Sequence, residues 1–329
     1  MLSVEEPDSN NEEIFLSLNK NPSFSKLDNL NKNEIIELIT NTKKNAENGH
    51  WLIDESELNI IYPEFASGSF SNIYNCNWRG SKIAIKKPKT SKIYNFLDFL
   101  KEINVWSSLR HPNLVQFMGI SFNNDYNDIS ILMEKIDGVN LHEYLKKSTM
   151  SLSFSKKSHI ASQLINVINF LHNCKPPIIY RDLKPENVLI TKECMVKLTD
   201  FGLSKYYTID TSGNYVMTGG TGTLRYMAPE VYSNKPYSLK VDIYSLGLIL
   251  YYLFSDEKPF NDYNTESLKN YFNNEELIFS TIKIKNKKIR TIINKCINKN
   301  DKDRIDINLL HQDWFSCLNQ NQNRGCHVC

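Results

Sequence analysis

The sequence predicts an α+β chain in two lobes, a small sheet-rich one followed by a larger helical one. Two patterns carry that expectation. Short β-favouring runs bounded by turn residues fill the stretch from Leu58 to about Glu134, and from Leu141 onward apolar residues recur at helical spacing. A length of 329 residues with 41% hydrophobic content suffices for two lobes and short tails.

Residues 1–50 read as a polar, asparagine-rich extension with one helical island, where Ile35, Ile36, Leu38 and Ile39 can form an apolar stripe. A helix docked on the domain or frayed in solvent is one reading of that island, and a regulatory or partner-binding helix is the other. Within the sheet-rich part, Ile83-Ala84-Ile85 and Ile129-Ser130-Ile131-Leu132-Met133 are strand-like, and one helix is expected from Phe96 to Leu109. In the helical part, Ile160, Leu164, Val167, Ile168 and Leu171 mark one helix and Val241–Phe254 another. No internal repeat is visible, and no uninterrupted Asn/Gln tract marks a prion-like segment.

The formal net charge of +2 gives no reason to expect a nucleic-acid or anionic-membrane partner. Seven scattered cysteines, an odd number, read as free thiols in a reducing compartment. No N-terminal charged-then-apolar signal is seen, and the most apolar stretch, Tyr244–Phe254, is too short to span a bilayer. A cytoplasmic protein without a transmembrane segment is expected. Cys326 lies where a prenylated cysteine would, but His327 is not aliphatic and a final Cys329 is unusual, so ordinary thiols are expected there.

Three local patterns carry chemistry. In Phe65-Ala66-Ser67-Gly68-Ser69-Phe70-Ser71-Asn72-Ile73, a strand-turn-strand tip poor in bulky side chains lets backbone N–H groups approach a polyphosphate. Lys86 follows on the apolar strand Ile83-Ala84-Ile85, where a buried ammonium needs a carboxylate and a phosphate; Glu102 can supply the first. The loop Tyr180-Arg181-Asp182-Leu183-Lys184-Pro185-Glu186-Asn187 combines a proton acceptor (Asp182), a cation for a transferring phosphoryl group (Lys184) and a metal ligand (Asn187). Asp200, in Thr199-Asp200-Phe201-Gly202, is a hard oxygen ligand suited to Mg²⁺.

Taken together with Ala228-Pro229-Glu230, these segments resemble the eukaryotic protein kinase motif set over residues 58–318. The resemblance implies a kinase fold with an N-lobe over about 58–134, a hinge at 135–138, a C-lobe at 139–318 and a tail at 319–329. It implies ATP and Mg²⁺ as cofactors, Lys86 on the α/β-phosphates and paired with Glu102, Asp182 as catalytic base, and Asn187 with Asp200 holding two Mg²⁺ ions. It places Ile73, Ala84 and Leu189 around adenine, Met133 as gatekeeper, and the backbone of Glu134 and Ile136 at the adenine edge. Asp242 matches an anchor of the catalytic loop, and Arg304 a buried partner of Glu230. Trp106, Phe117, Tyr180 and Phe201 fall at the positions of the regulatory hydrophobic column.

Lys184-Pro185-Glu186 and Gly222-Thr223-Leu224-Arg225-Tyr226-Met227 resemble serine/threonine kinases, with Thr223 near Asp182 and Lys184. Trp51-Leu52-Ile53-Asp54, Trp78-Arg79-Gly80 and Leu109-Arg110-His111-Pro112-Asn113-Leu114-Val115 are similar to tyrosine-kinase-like enzymes of the Raf and mixed-lineage sort. A protein substrate bearing Ser or Thr is implied, with activation by an upstream kinase or by trans-autophosphorylation at Thr218 or Thr221, beside Arg181. Ala66 and Ser71 replace two loop glycines, and Tyr180 replaces a histidine. The alternative reading is a catalytically weak or inactive pseudokinase acting as scaffold or allosteric partner, but the strand lysine and both aspartates are retained.

Overall fold

The computed structural model describes residues 14, 16–18, 29–68, 71–89, 93–123, 128–147, 152–207, 224–274 and 276–325. The chain divides into two compact units, one made of Met1–Arg110 with Val115–Lys135 and the other of His111–Leu114 with Ile136–Cys329.

In the first unit, helix α1 (Asn29–Asn48) precedes strands β1 (Leu58–Ser67), β2 (Ser71–Trp78) and β3 (Ser81–Pro88), helix α2 (Ile93–Trp106), and strands β4 (Phe117–Phe122) and β5 (Ile129–Glu134). The strands form one antiparallel sheet in the order β1-β2-β3-β5-β4. Arg79 and Gly80 join β2 to β3 with positive φ at both positions, 49° and 82°, a turn whose twist matches that of the strands it links. Strand alternation sends Cys76, Ile83, Ile85 and Leu132 into a core shared with Ile53. The β1–β2 register shifts between Ile61 and Ala66, so β1 bulges just before the expected phosphate loop.

Three of the four residues of the expected apolar stripe are buried, and the fourth, Leu38, is half-buried. Ile35, Ile36 and Ile39 are inaccessible on α1, which packs against α2. Beyond it, Trp51–Ile53 runs along the edge of β4: Ile53 N–H donates to Ile120 O at 2.8 Å, and Ile120 N–H to Trp51 O at 2.9 Å. Gly119 makes room for this, since a Cβ there would lie 2.5 Å from Trp51 O. Helix α2 is displaced from the expected Phe96–Leu109. It ends at Trp106 because Arg110 Nη1 takes Ser107 O and Leu109 O, and Leu109 folds back into the core.

The second unit contains β6 (Gly138–Asn140), α3 (Leu141–Lys147), α4 (Phe154–His172), β7 (Ile178–Ile179), β8 (Val188–Thr191), β9 (Val196–Leu198) and β10 (Lys205–Tyr206). Helices α5 (Pro229–Tyr232), α6 (Lys240–Ser255), α7 (Thr265–Asn273), α8 (Lys287–Cys296) and α9 (Ile307–Gly325) follow. Every residue of α6 from Val241 to Leu253 is buried, as expected of a helix apolar on all sides. It forms the centre of the unit, with α4 and α8 packed on it and α9 on those two. Ile160, Leu164, Val167, Ile168 and Leu171 line the buried face of α4 at the helical spacing of the sequence. Two small ladders, β6-β8-β9 and β7-β10, frame the loops that carry the chemistry. Among the described residues no helix is long and apolar enough to cross a membrane.

Candidate active site

In the first unit the sheet register gathers the nucleotide candidates on one face. Directly opposed strand residues share a face, as do residues two apart. Ala66 opposes Ile73, Ile73 opposes Lys86, and Ala84 opposes Met133, so all five stand on the face opposite the Ile83–Ile85 core. Lys86 is 6% exposed and Glu102, from α2, 2%. The Lys86 ammonium donates to both Glu102 oxygens, at 2.7 and 2.8 Å. At the tip, Gly68 N–H closes the turn on Ser71 O at 2.8 Å, and Ser67 Oγ donates to Asn72 Oδ1 at 2.9 Å. Phe65 is half exposed and carries the Lys135 ammonium over its ring. Glu134 N–H pairs with Gln116 O at the end of β5. Ser69 and Phe70 lie outside the described residues.

In the second unit one buried carboxylate sets the catalytic loop. Asp242, on α6, accepts the backbone N–H groups of Tyr180 and Arg181, each at 2.8 Å, and His172 Nε2 approaches its Oδ2 at 2.9 Å. Arg181 is thereby held at φ 71°; Asp200, elsewhere in the unit, stands at φ 65°, and both are left-handed conformations that non-glycine residues adopt only where surroundings enforce them. Asp182 is 7% exposed; its Oδ2 accepts from Lys184 Nζ at 2.7 Å and from Asn187 Nδ2 at 2.8 Å. Burial holds the Asp182 carboxyl above the usual carboxylate range, with Lys184 and Asn187 opposing that effect. Asn187 Nδ2 also donates to Asp182 O at 2.9 Å, which leaves Oδ1 as its atom of the kind a hard cation takes. Gly202 N–H leans toward Asp200 Oδ1. Leu189 sits mid-way along β8, half-buried, and Ile136 precedes β6.

The aromatic positions pair within each unit. Trp106 meets Phe117 edge-on with centroids 5.9 Å apart, and Tyr180 meets Phe201 at 5.6 Å. Arg304 grips Glu230 through both Nη atoms, at 2.6 and 3.0 Å, and is itself 2% exposed. Beside Arg181 lie Tyr237, whose hydroxyl accepts from Nη1 at 3.2 Å, and Lys205, whose ammonium is brought down to about 8 by burial and by the Arg181 charge. Thr218, Thr221, Thr223 and Cys326 lie outside the described residues.

The sequence reading passed over His172, Tyr237 and Lys205. A single histidine in a helix, or a single tyrosine in the loop ahead of α6, carries no spacing signal, and Lys205 sits in a two-residue strand that no periodicity marks. Asn113 was read only as part of a subgroup motif. Its Nδ2 joins Gln163 Oε1 at 2.7 Å and Val196 O at 2.9 Å, fixing β9 just ahead of Asp200.

A five-stranded sheet with a buried Lys–Glu pair, and a helical unit with an Asp–Lys–Asn loop clamped by a buried aspartate, define a protein of phosphotransferase architecture. The family model described as "Protein kinase domain" matches residues 62–315, and the chain belongs to that family. Its relatives are serine/threonine kinases by name. It is 37% identical over 217 residues to "Serine/threonine-protein kinase VIK" of Arabidopsis thaliana, a match covering 64% of this chain and 49% of that protein. It is 35% identical over 211 residues to "Probable serine/threonine-protein kinase drkC" of Dictyostelium discoideum, covering 63% and 28%. Against "Serine/threonine-protein kinase CTR1" of Arabidopsis thaliana it is 34% identical over 208 residues, covering 62% and 25%. The chain thus spans half or less of the length of these relatives.

Proposed function

We propose that the chain transfers the γ-phosphoryl group of Mg-ATP to serine and threonine hydroxyls of proteins, as a tyrosine-kinase-like enzyme in intracellular signalling. The observation that carries this reading is the hydrogen-bonded Asp182–Lys184–Asn187 set on a loop fixed by Asp242.

The donor set suits the cofactor. Asn187 and Asp200 offer oxygen ligands of the kind Mg²⁺ takes. Among the described residues no group of three or more His, Cys, Asp or Glu could hold a metal by itself. When bound, Mg²⁺ supplies neutralisation of charge on the phosphates. Lys86, positioned by Glu102, places a positive charge on the α/β-phosphates. Asp182 accepts the proton of the attacking hydroxyl as the substrate oxygen takes the phosphoryl group and the bond to ADP breaks. Lys184 offsets charge on the transferring oxygens, and Thr223 lies close in sequence to the segment that would hold the substrate. By the family likeness, Ile73, Ala84 and Met133 with the backbone of Glu134 are the adenine candidates of the first unit, and Leu189 with the backbone of Ile136 those of the second.

One feature favours the pseudokinase reading: Ala66 and Ser71 put Cβ atoms where the family has glycine, and Ser71 is only 8% exposed. The intact Lys86–Glu102 and Asp182–Asn187 pairs weigh against it. The test is transfer of labelled phosphate from Mg-ATP to a generic basic protein, followed by phosphoamino-acid analysis. Label on serine or threonine supports the proposal; label on tyrosine alone, or none at all with nucleotide bound, overturns it.

A further inference from the structure

A second concave surface lies in the helical unit. A groove of about 810 Å³ is lined by Pro229 of α5, Tyr271 and Phe272 of α7, Ile278 and Phe279 of the following segment, and Asn294 of α8. That volume is in the range of pockets that enclose a ligand. Its wall is held in place. Phe272 stacks on Tyr232 with centroids 4.6 Å apart, Phe279 packs against Phe260 at 4.5 Å and Tyr251 at 4.7 Å, and Thr281 Oγ1 donates to Asn294 Oδ1 at 2.7 Å.

Between and beside those anchors the chain displays two isoleucines. Ile278 is 87% exposed and Ile282 75%, the two most exposed large apolar side chains among the described residues. Their neighbours Phe279 and Thr281 are fixed, so this exposure belongs to an ordered wall. Ile282 lies outside the lining, but Ile278 stands in it with Phe272 and Phe279; scattered apolar side chains are ordinary on a surface, whereas apolar groups at a concave site mark a place where something binds.

The lining itself is balanced, with Lys235 and Lys299 against Glu230 and Asp301, but the segment that supplies one wall and its flank is cationic. Residues 277–300 contain seven Lys or Arg and no Asp or Glu. Lys283 is paired with Glu257 and Lys295 with Asp313; among the described residues Lys285, Lys287 and Arg290 have no carboxylate partner. Helical spacing sets Lys287 and Arg290 on the face of α8 that carries Asn294, seven and four residues on, so the cationic strip continues the groove. Of the two carboxylates in the lining, Glu230 is taken up by Arg304, which leaves Asp301.

We infer that this groove docks an acidic linear segment of a partner protein, anchored by one bulky aliphatic side chain against Ile278 and Phe272 and by carboxylates along Lys287 and Arg290. An extended peptide can occupy a groove of this volume, and carboxylates on it complement the cationic strip. None of these residues belongs to the phosphoryl-transfer set, so docking stands apart from the proposed activity.

The experiment uses the full chain and a fluorescein-labelled twelve-residue synthetic peptide rich in Asp and Glu with one central Leu, read by anisotropy at low salt without nucleotide. Saturable binding is expected, weakened about tenfold or more by Ile278→Asp and by Lys287→Glu with Arg290→Glu, and by Leu→Ala in the peptide. It should fall as salt rises. Asp182→Asn should bind as wild type does, which separates failure of docking from failure of catalysis. Far-UV dichroism and transfer to a generic basic protein check that the groove variants stay folded. Absence of saturable binding, or equal binding by wild type and variants, overturns the inference. So does variant-sensitive binding to anionic phosphatidylserine vesicles with none to the peptide, which would assign the surface to lipid.

Discussion

Lys86 and Glu102 are both almost wholly removed from water and satisfy each other through two hydrogen bonds. A buried ion pair contributes little net stability, yet removing one partner strands the other charge. Glu102→Ala is therefore expected to lose roughly 3–5 kcal/mol in denaturant unfolding, whereas Lys86→Met with Glu102→Leu recovers most of that stability and still transfers no phosphate. If Glu102→Ala unfolds like wild type, the pair is not the buried unit described above. Lys205 gives a pH-dependent test. Burial and the Arg181 charge bring its ammonium from 10.5 to about 8, so in the unphosphorylated chain the folded state disfavours the charged form. That penalty is complete below about 8 and fades as pH rises toward 10.5. Lys205→Met should raise the melting temperature at pH 7, and the gain should shrink at pH 9. A gain that grows with pH would have the wrong sign. At this scale the sequence singled out side chains that the structure joins, Lys86 with Glu102 and Asp182 with Lys184 and Asn187, because side-chain chemistry is written in residue identity. The left-handed backbone of Arg181 was not, since the Asp242 clamp, a tertiary contact, enforces it.

Among the elements, α6 and α4 were the easiest to read, because a long apolar or amphipathic run leaves one periodicity to choose. The ends of α2 were not, since its last turn is decided by Arg110 reaching back to Ser107 O and Leu109 O. Nor was the pairing of Trp51–Ile53 with β4, where three residues are too few to show alternation. That pairing makes its own prediction. A Cβ on Gly119 would sit 2.5 Å from Trp51 O, so Gly119→Val must push the segment off the strand edge. Trp51, which meets Phe117 edge-on at 5.3 Å, should then change its fluorescence, and the melting temperature should fall. A variant with unchanged emission and stability would show that the segment does not depend on this close approach.

For the chain as a whole, the α+β composition and the order of sheet-rich then helical parts followed from the change of hydrophobic period near Leu141. What the sequence could not supply was how the candidates are gathered: Ala66, Ile73, Ala84, Lys86 and Met133 share a face only through strand register, which is set by pairing partners far apart in the chain. The docking groove was equally hidden, because its wall is assembled from α5, α7, α8 and the segments between them. The account rests most heavily on Asp182 as the base of a working kinase. The most direct measurement compares wild type with Asp182→Asn for phosphate transfer from saturating Mg-ATP to a generic basic protein. The expected result is transfer by wild type and a rate lower by about 10² or more in the variant, with both proteins binding nucleotide and melting alike. Equal rates in the two proteins, or nucleotide binding without transfer in either, would contradict it.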